Sequence, residues 1–262
     1  MPNKLFMYAS LAATLLVIAL FACFPTFRKI QENIMFAANP SAQRAFEYGE
    51  RHFDAQDAGE YDIARAEYFF QKAALLDPTL PYLNHELARI EFLKGNFPQA
   101  LALINLQIAL HGDQTPNSYY IRGLIEGYAG DYDASVRDYA HFIESDPHNW
   151  AAINDYAWVL LKANNPLQAA SVTGTALNSF PHNAWLLNTN ATALYEVGNL
   201  QQALVKVRAA AAESQKLGAS DWLHAYPGND PRIAASGIEA FKAATLSNMH
   251  TIELAAATST VL

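Results

Sequence analysis

Between residue 45 and about residue 217, apolar residues recur at helical spacing in short runs that end at Pro, Gly or Asn, and the runs pair into a repeating unit. The unit is clearest from Asn117 to Pro147, NSYYIRGLIEGYAGDYDASVRDYAHFIESDP. With Pro116 as position 1, Gly123, Gly130, Tyr132, Ser135, Tyr139 and Pro147 fall at positions 8, 15, 17, 20, 24 and 32. Small residues at 8 and 20 let two antiparallel helices approach closely, and Gly130 suits a left-handed turn between them. Tyr132 and Tyr139 fill the space between units. Pro147 lacks a backbone donor, so it stops the second helix and opens the next unit.

A step of 34 residues brings Ala157, Asn164, Ala169, Ala176 and Pro181 to the same positions, and a further step brings Ala191, Gly198, Ala203 and Ala210. Pro-His-Asn recurs at 147–149 and 181–183. Backwards along the chain, Leu87, Ala88, Gly95, Phe97 and Ala100 fit a unit starting at Pro81, while Ala66, Phe70, Ala73 and Pro78 match the second helix of a first unit. Gly59 lies two residues too early for that unit's turn, which predicts an insertion there. The pattern resembles the tetratricopeptide repeat (TPR), a helix-turn-helix unit of 34 residues that stacks into a solenoid. The resemblance covers five units, A to E, over about residues 45–217. It implies an all-α fold, a right-handed superhelical solenoid within a repeat region of 41–217. Beyond it, 218–262 is expected to cap the array: Pro231 to about Asn248 reads as a closing helix that buries Ile233, Ile238, Phe241 and Leu246, with a loosely folded tail after it.

The N-terminal end follows a different pattern. Leu5 to Phe24 is an uncharged apolar run of 20 residues, which as a helix reaches about 30 Å, the thickness of a bilayer core. Residues 1–27 are therefore expected to form a single-pass transmembrane anchor. A cleaved signal peptide and lipidation at Cys23 are the alternatives, against which stand the poor cleavage site and the aromatic residues around Cys23. Lys4 on one flank and Arg28 with Lys29 on the other give the positive-inside rule little to act on; the expected placement of the repeats is outside the cytoplasm. Residues 28–40 read as a juxtamembrane spacer, ended by Asn39-Pro40, with Ser41 as cap of the first repeat helix.

Charge narrows the partners. Three of the 17 Lys and Arg precede residue 30 whereas all 25 Asp and Glu follow it, so residues 30–262 carry a net charge of −11. Such a surface repels nucleic acid. The eight histidines show no metal-ligand spacing, and His148 and His182 are the same inter-repeat corner. No nucleophile elbow or phosphate loop is present. The sequence thus predicts no catalytic residues, no metal and no cofactor, and a protein that is not an enzyme. Glu91 and Glu126 both fall at position 11; a pair that titrates together or holds a cation is one reading, and the favoured one is that Arg122 pairs Glu126 one helical turn away while Glu91 is partly exposed.

In TPR proteins the concave wall is built by the first helix of each unit, and the resemblance assigns that wall here. It comprises Tyr82, His85, Arg89 and Phe92 in repeat B, and Asn117, Tyr120, Leu124 and Tyr128 in C. In D it continues with Asn154, Trp158, Leu161 and Lys162, and in E with Trp185, Asn188, Thr192 and Tyr195. The wall is aromatic with scattered amides, and Asn154 and Asn188 form a possible amide ladder for a peptide backbone. Only Arg89 and Lys162 offer cations there, which disfavours gripping a terminal carboxylate. The implied function is a membrane-tethered scaffold or adaptor that binds a protein or peptide partner, and it requires Trp158, Trp185, Tyr120 and Asn188 to be exposed. The alternative is a self-associating structural spacer of a cell-envelope assembly.

Overall fold

The computed structural model describes Tyr8, Thr14, Leu15 and residues 25–54, 58–226 and 228–259. The anchor expected over 5–24, with Cys23, lies outside the described residues apart from those three. Among the described residues no helix is long and apolar enough to cross a membrane.

Every regular element among the described residues is helical. A leading helix α1 (Pro25–Ala38) precedes five antiparallel pairs: α2 (Ala42–Phe53) with α3 (Ile63–Leu76), α4 (Leu83–Leu93) with α5 (Phe97–His111), and α6 (Asn117–Ala129) with α7 (Tyr132–Ser145). The series continues with α8 (Trp150–Lys162) and α9 (Pro166–Ser179), then α10 (Ala184–Glu196) and α11 (Leu200–Ser214). These are repeats A to E. A short α12 (Ala219–Ala225) and a long α13 (Ala234–Ser259) follow.

The small positions meet as the spacing predicts. Ala88, Ala157 and Ala191 at position 8 and Ala100, Ser135, Ala169 and Ala203 at position 20 are all fully buried. A methyl group at Gly123 would come within 3.2 Å of the Tyr139 ring. The turn residues Gly95, Gly130 and Gly198 all have positive φ, and Asn164 takes the glycine's place with φ 57°. Asparagine is the non-glycine residue that tolerates this region best. Pro-His-Asn recurs for a capping reason: Asn149 and Asn183 accept the amide hydrogens of Ala152 and Leu186 at the starts of α8 and α10.

Repeat A departs from the others at its turn, which spans 54–62 where the rest have 94–96, 130–131, 163–165 and 197–199. The insertion inferred from Gly59 is real. The small residue that lets α2 and α3 approach is Gly49, whose missing side chain leaves room for the Phe70 ring.

Residues 28–40 are more than a spacer. Within α1, Phe36 is buried with its ring edge-on to Phe69 at 5.9 Å. Glu32 accepts from Arg65 and contacts His52 Nε2 at 2.9 Å. Arg28 and Lys29 pair with Glu60 and Asp62, both on the long turn of repeat A. Glu60 and Asp62 therefore help to dock α1. Ser41 caps α2 by accepting from the Arg44 amide.

The C-terminal segment also differs from expectation. α13 runs through to Ser259, so the tail expected to be loose is helical; Ile252 packs with Ala191, Ala203 and Val207, and Glu253 binds Arg208. Ile238 is buried and Phe241 half-buried, but Ile233 and Leu246 face solvent. Between α12 and α13 the chain crosses the concave side to the opposite end of the array, where Tyr61 of repeat A donates to the Gly228 carbonyl at 3.1 Å.

Candidate functional site

First helices stacked one repeat apart present the same positions in a row, and in B to D that row lines a cavity of about 740 Å³. Of the residues assigned to the wall, His85, Arg89, Phe92, Asn117, Tyr120, Leu124, Tyr128, Asn154 and Trp158 line it. The remaining lining comes partly from the C-terminal segment, through Trp222, His224, Ala225, Tyr226, Gly228, Asn229, Gly237 and Phe241. The cavity is thus a TPR-type groove with one end closed by its own chain.

Repeat E lies beneath that closure. Trp185 is only 6% exposed, stacked on Phe241 of α13 at 4.9 Å and on Trp150 at 5.3 Å. Asn188 accepts from Asn248 of α13, Thr192 donates to the Asn188 carbonyl, and Tyr195 packs beside Ile252. Trp185, Asn188, Thr192 and Tyr195 are therefore filled positions, because α13 supplies the apolar surface that a solenoid's last repeat needs. The exposure expected of Trp158, Trp185, Tyr120 and Asn188 is not met: Trp185 is buried and the other three are half-buried. Three further assignments change. Tyr82 starts α4 in a left-handed conformation and packs against His85, outside the cavity. Lys162 stands on the rim with its ammonium 6.0 Å from the Trp158 ring centre, and Leu161 packs into the core of repeats C and D. The amide ladder is not free: Asn154 accepts from Thr189, and Asn188 is engaged by Asn248.

Along the open wall, rings of successive repeats touch. Phe92 of B meets Tyr128 of C at 5.2 Å, and Tyr128 meets Trp158 of D at 5.4 Å. Tyr128 is 58% exposed, the most open of the three. Tyr120 is tucked against Tyr139 and Phe142, and its hydroxyl donates to Asp155 Oδ2 at 2.8 Å. Asp155 also lines the cavity. Burial pushes its carboxyl up to about 6, opposed by hydrogen bonds from Tyr120 and Asn154.

At the other end of the cavity several carboxylates gather on one cation. Arg89 donates to Glu86 at 2.6 Å and to Asp54 at 3.3 Å, and its guanidinium lies 4.5 Å from the Phe53 ring centre. Burial raises the Glu86 carboxyl, as do Glu50 and Asp54, while Arg89 pulls it down. His85 is buried and held neutral, its imidazole pushed down to about 3 by burial and by Arg89.

The pairing expected between Arg122 and Glu126 is present but weak. Arg122 gives its close contacts to Asp138, at 2.5 and 2.8 Å, and reaches Glu126 only at 3.9 Å. Burial and then Asp138 push Glu126 up to about 7. Glu91 does hold ordinary partners, Lys94 at 2.9 Å and Asn96 at 2.8 Å, and these keep its carboxyl low.

No protein-family model and no curated protein matches the sequence. Solved structures do. YrrB, a TPR protein described as having an unusual peptide-binding site, superposes with a TM-score of 0.57 at 14% identity, over 70% of this chain and 91% of its own. MamA does so with a TM-score of 0.56 at 14% identity, over 67% of this chain and 92% of its own. The chain has the tetratricopeptide-repeat fold. Yeast Tom70 superposes over 88% of this chain at 16% identity and a TM-score of 0.56, although the chain spans about half of that protein's length. The TPR fold was legible in the spacing of small residues. The closure of its groove was not, because 218–262 has no counterpart among the repeats. Asp155 did carry a signal: it is the only charged residue between Trp150 and Leu161.

Proposed function

We propose that the chain is a non-catalytic adaptor, which holds a partner polypeptide in the part of its TPR groove built by repeats B to D. In this reading the apolar segment 5–24 ties it to a membrane with the repeats outside the cytoplasm. The observation that carries the reading is the ring row of half-buried Phe92, exposed Tyr128 and half-buried Trp158 along a cavity of about 740 Å³. Rigid aromatic side chains give large contact area at little entropic cost, and such residues dominate binding energy at protein interfaces. The peptide-binding site named for YrrB, a protein of the same fold, is consistent with this use.

In-cell photo-crosslinking tests it, with the reactive group at Trp158 and, as control, at Arg137 on the exposed side of α7. The expected result is a discrete adduct from Trp158 alone, whose identity also reports the compartment. Equal adducts from both positions would refute the groove reading.

A second reading, self-association, is favoured by Leu75 and Leu76 at the end of α3 and Leu106 and Leu110 on α5, all exposed. Adducts of the chain with itself would support that alternative.

A further inference from the structure

The cavity is chemically lopsided. Its one guanidinium, Arg89, is matched by Glu86 and Asp54 within its own end of the groove. His85 is held neutral by burial, and the ring nitrogen Nδ1 of His224 already contacts the Ser220 carbonyl at 2.6 Å. Asp155 has neutral partners, the Tyr120 hydroxyl and the Asn154 amide, and among the described residues no ion pair reaches it. A carboxylate set among aromatic walls without a counter-ion is attracted to any cation that can enter, since the low local dielectric strengthens the pairing.

What surrounds Asp155 suits a cation on an apolar stem. Trp158 follows it by three residues on α8, so the two side chains share a face of that helix. Trp158 lies tilted against Tyr128, and the Lys162 ammonium already stands 6.0 Å from the Trp158 ring centre. Residues 30–262 carry a net charge of −11, so approaching basic segments are steered inward and acidic ones repelled.

Resting on the adaptor reading, we propose that the groove's occupant is a polypeptide segment bearing a lysine or arginine, whose head group enters beside Tyr128 and Trp158 and pairs with Asp155. Its methylenes lie along the rings, and its N–H groups take the carboxylate lone pairs that Tyr120 and Asn154 leave free. A terminal carboxylate or an acidic segment finds no unmatched cation in this cavity.

The test uses the full chain and fluorescein-labelled decapeptide pools, randomised over uncharged residues and fixed at the centre as lysine, acetyl-lysine or glutamate. Acetyl-lysine keeps the stem and removes the charge. Fluorescence anisotropy is expected to show the lysine pool binding at least about ten-fold more tightly than the other two, and weakening as salt rises. Asp155→Asn, which retains an oxygen for the Tyr120 hydroxyl, is expected to remove that preference while the chain unfolds at a temperature no lower than the parent's, since the raised carboxyl it replaces is itself mildly unfavourable when ionised. Tyr128→Ala, at an exposed position, weakens lysine-pool binding in the same assay without touching the carboxylate. Equal binding of lysine and acetyl-lysine, preference for glutamate, a preference that survives Asp155→Asn, or no binding by any pool would each overturn the inference. A discrete crosslinked partner at Trp158 alongside any of those results would leave the adaptor reading standing and remove only the charge assignment.

Discussion

Glu50, Asp54 and Glu86 converge on the single guanidinium of Arg89, and the excess of carboxylates over cation leaves one of them poorly served. Glu50 is that group: its Oε1 is buried without a hydrogen-bond partner, and burial, then Asp54, push its carboxyl up to about 7 against the pull of Arg89. A carboxyl whose folded value lies above its unfolded value binds its proton more readily when folded, so its contribution to stability falls as pH rises from the ordinary carboxylate range to about 7. Glu50→Gln removes that loss. Urea unfolding of the two chains is expected to show the variant gaining on the parent between pH 5 and pH 8; an advantage equal at both pH values would contradict the raised carboxyl. At this scale the sequence was informative where geometry is local. Gly130 and Asn164 announce their left-handed turns because few other residues adopt that backbone without strain. Glu126 and Trp185 misled, because whether a side chain is covered depends on elements far along the chain.

Among the elements, α1 and α13 carry what the repeat pattern could not foretell. Neither shows by sequence which surface it will cover. α1 docks on repeat A because the long turn 54–62 brings Glu60 and Asp62 to Arg28 and Lys29, while Glu32 sits between His52 and Arg65. Burial works to raise the Glu32 carboxyl, but His52 and Arg65 outweigh it and hold it below the usual range. A depressed carboxyl stabilises the docked state above its unfolded value and ceases to do so as pH falls through its folded value. Hydrogen exchange across 28–38 is therefore expected to accelerate relative to α10 in Glu32→Ala at pH 7, and in the parent once pH falls below the ordinary carboxylate range. Unchanged protection of this segment in the variant would show that Phe36 and the Arg28 and Lys29 pairs hold it without Glu32. The Pro, Gly and Asn punctuation of repeats B to E made their boundaries readable in advance, whereas α12 and the length of α13 emerge only from the surface they find on repeat E.

Considered whole, the molecule is a stack in which each pair leans chiefly on its neighbours, with one long-range exception. Tyr61 near the start of the array holds Gly228 after its end, and Arg89 packs against the same glycine. Tyr61→Phe keeps the ring and removes that donor. It is expected to cost about 1 kcal/mol in urea unfolding and to raise hydrogen exchange over 228–230 while α8 stays protected; an unchanged exchange rate there would mean the crossing is held by Trp222 and Phe241 instead. The crossing alters the mechanics of the array. An open solenoid behaves as a spring, free to change its pitch and to fray from either end, one repeat at a time. Here a clasp joins the first repeats to the segment beyond the last, so twisting or stretching the coil must first break the clasp. The groove's curvature is thereby set before any partner arrives, and the loop that joins the two ends, closing over a separation of 167 residues, is a late and entropically costly step of folding.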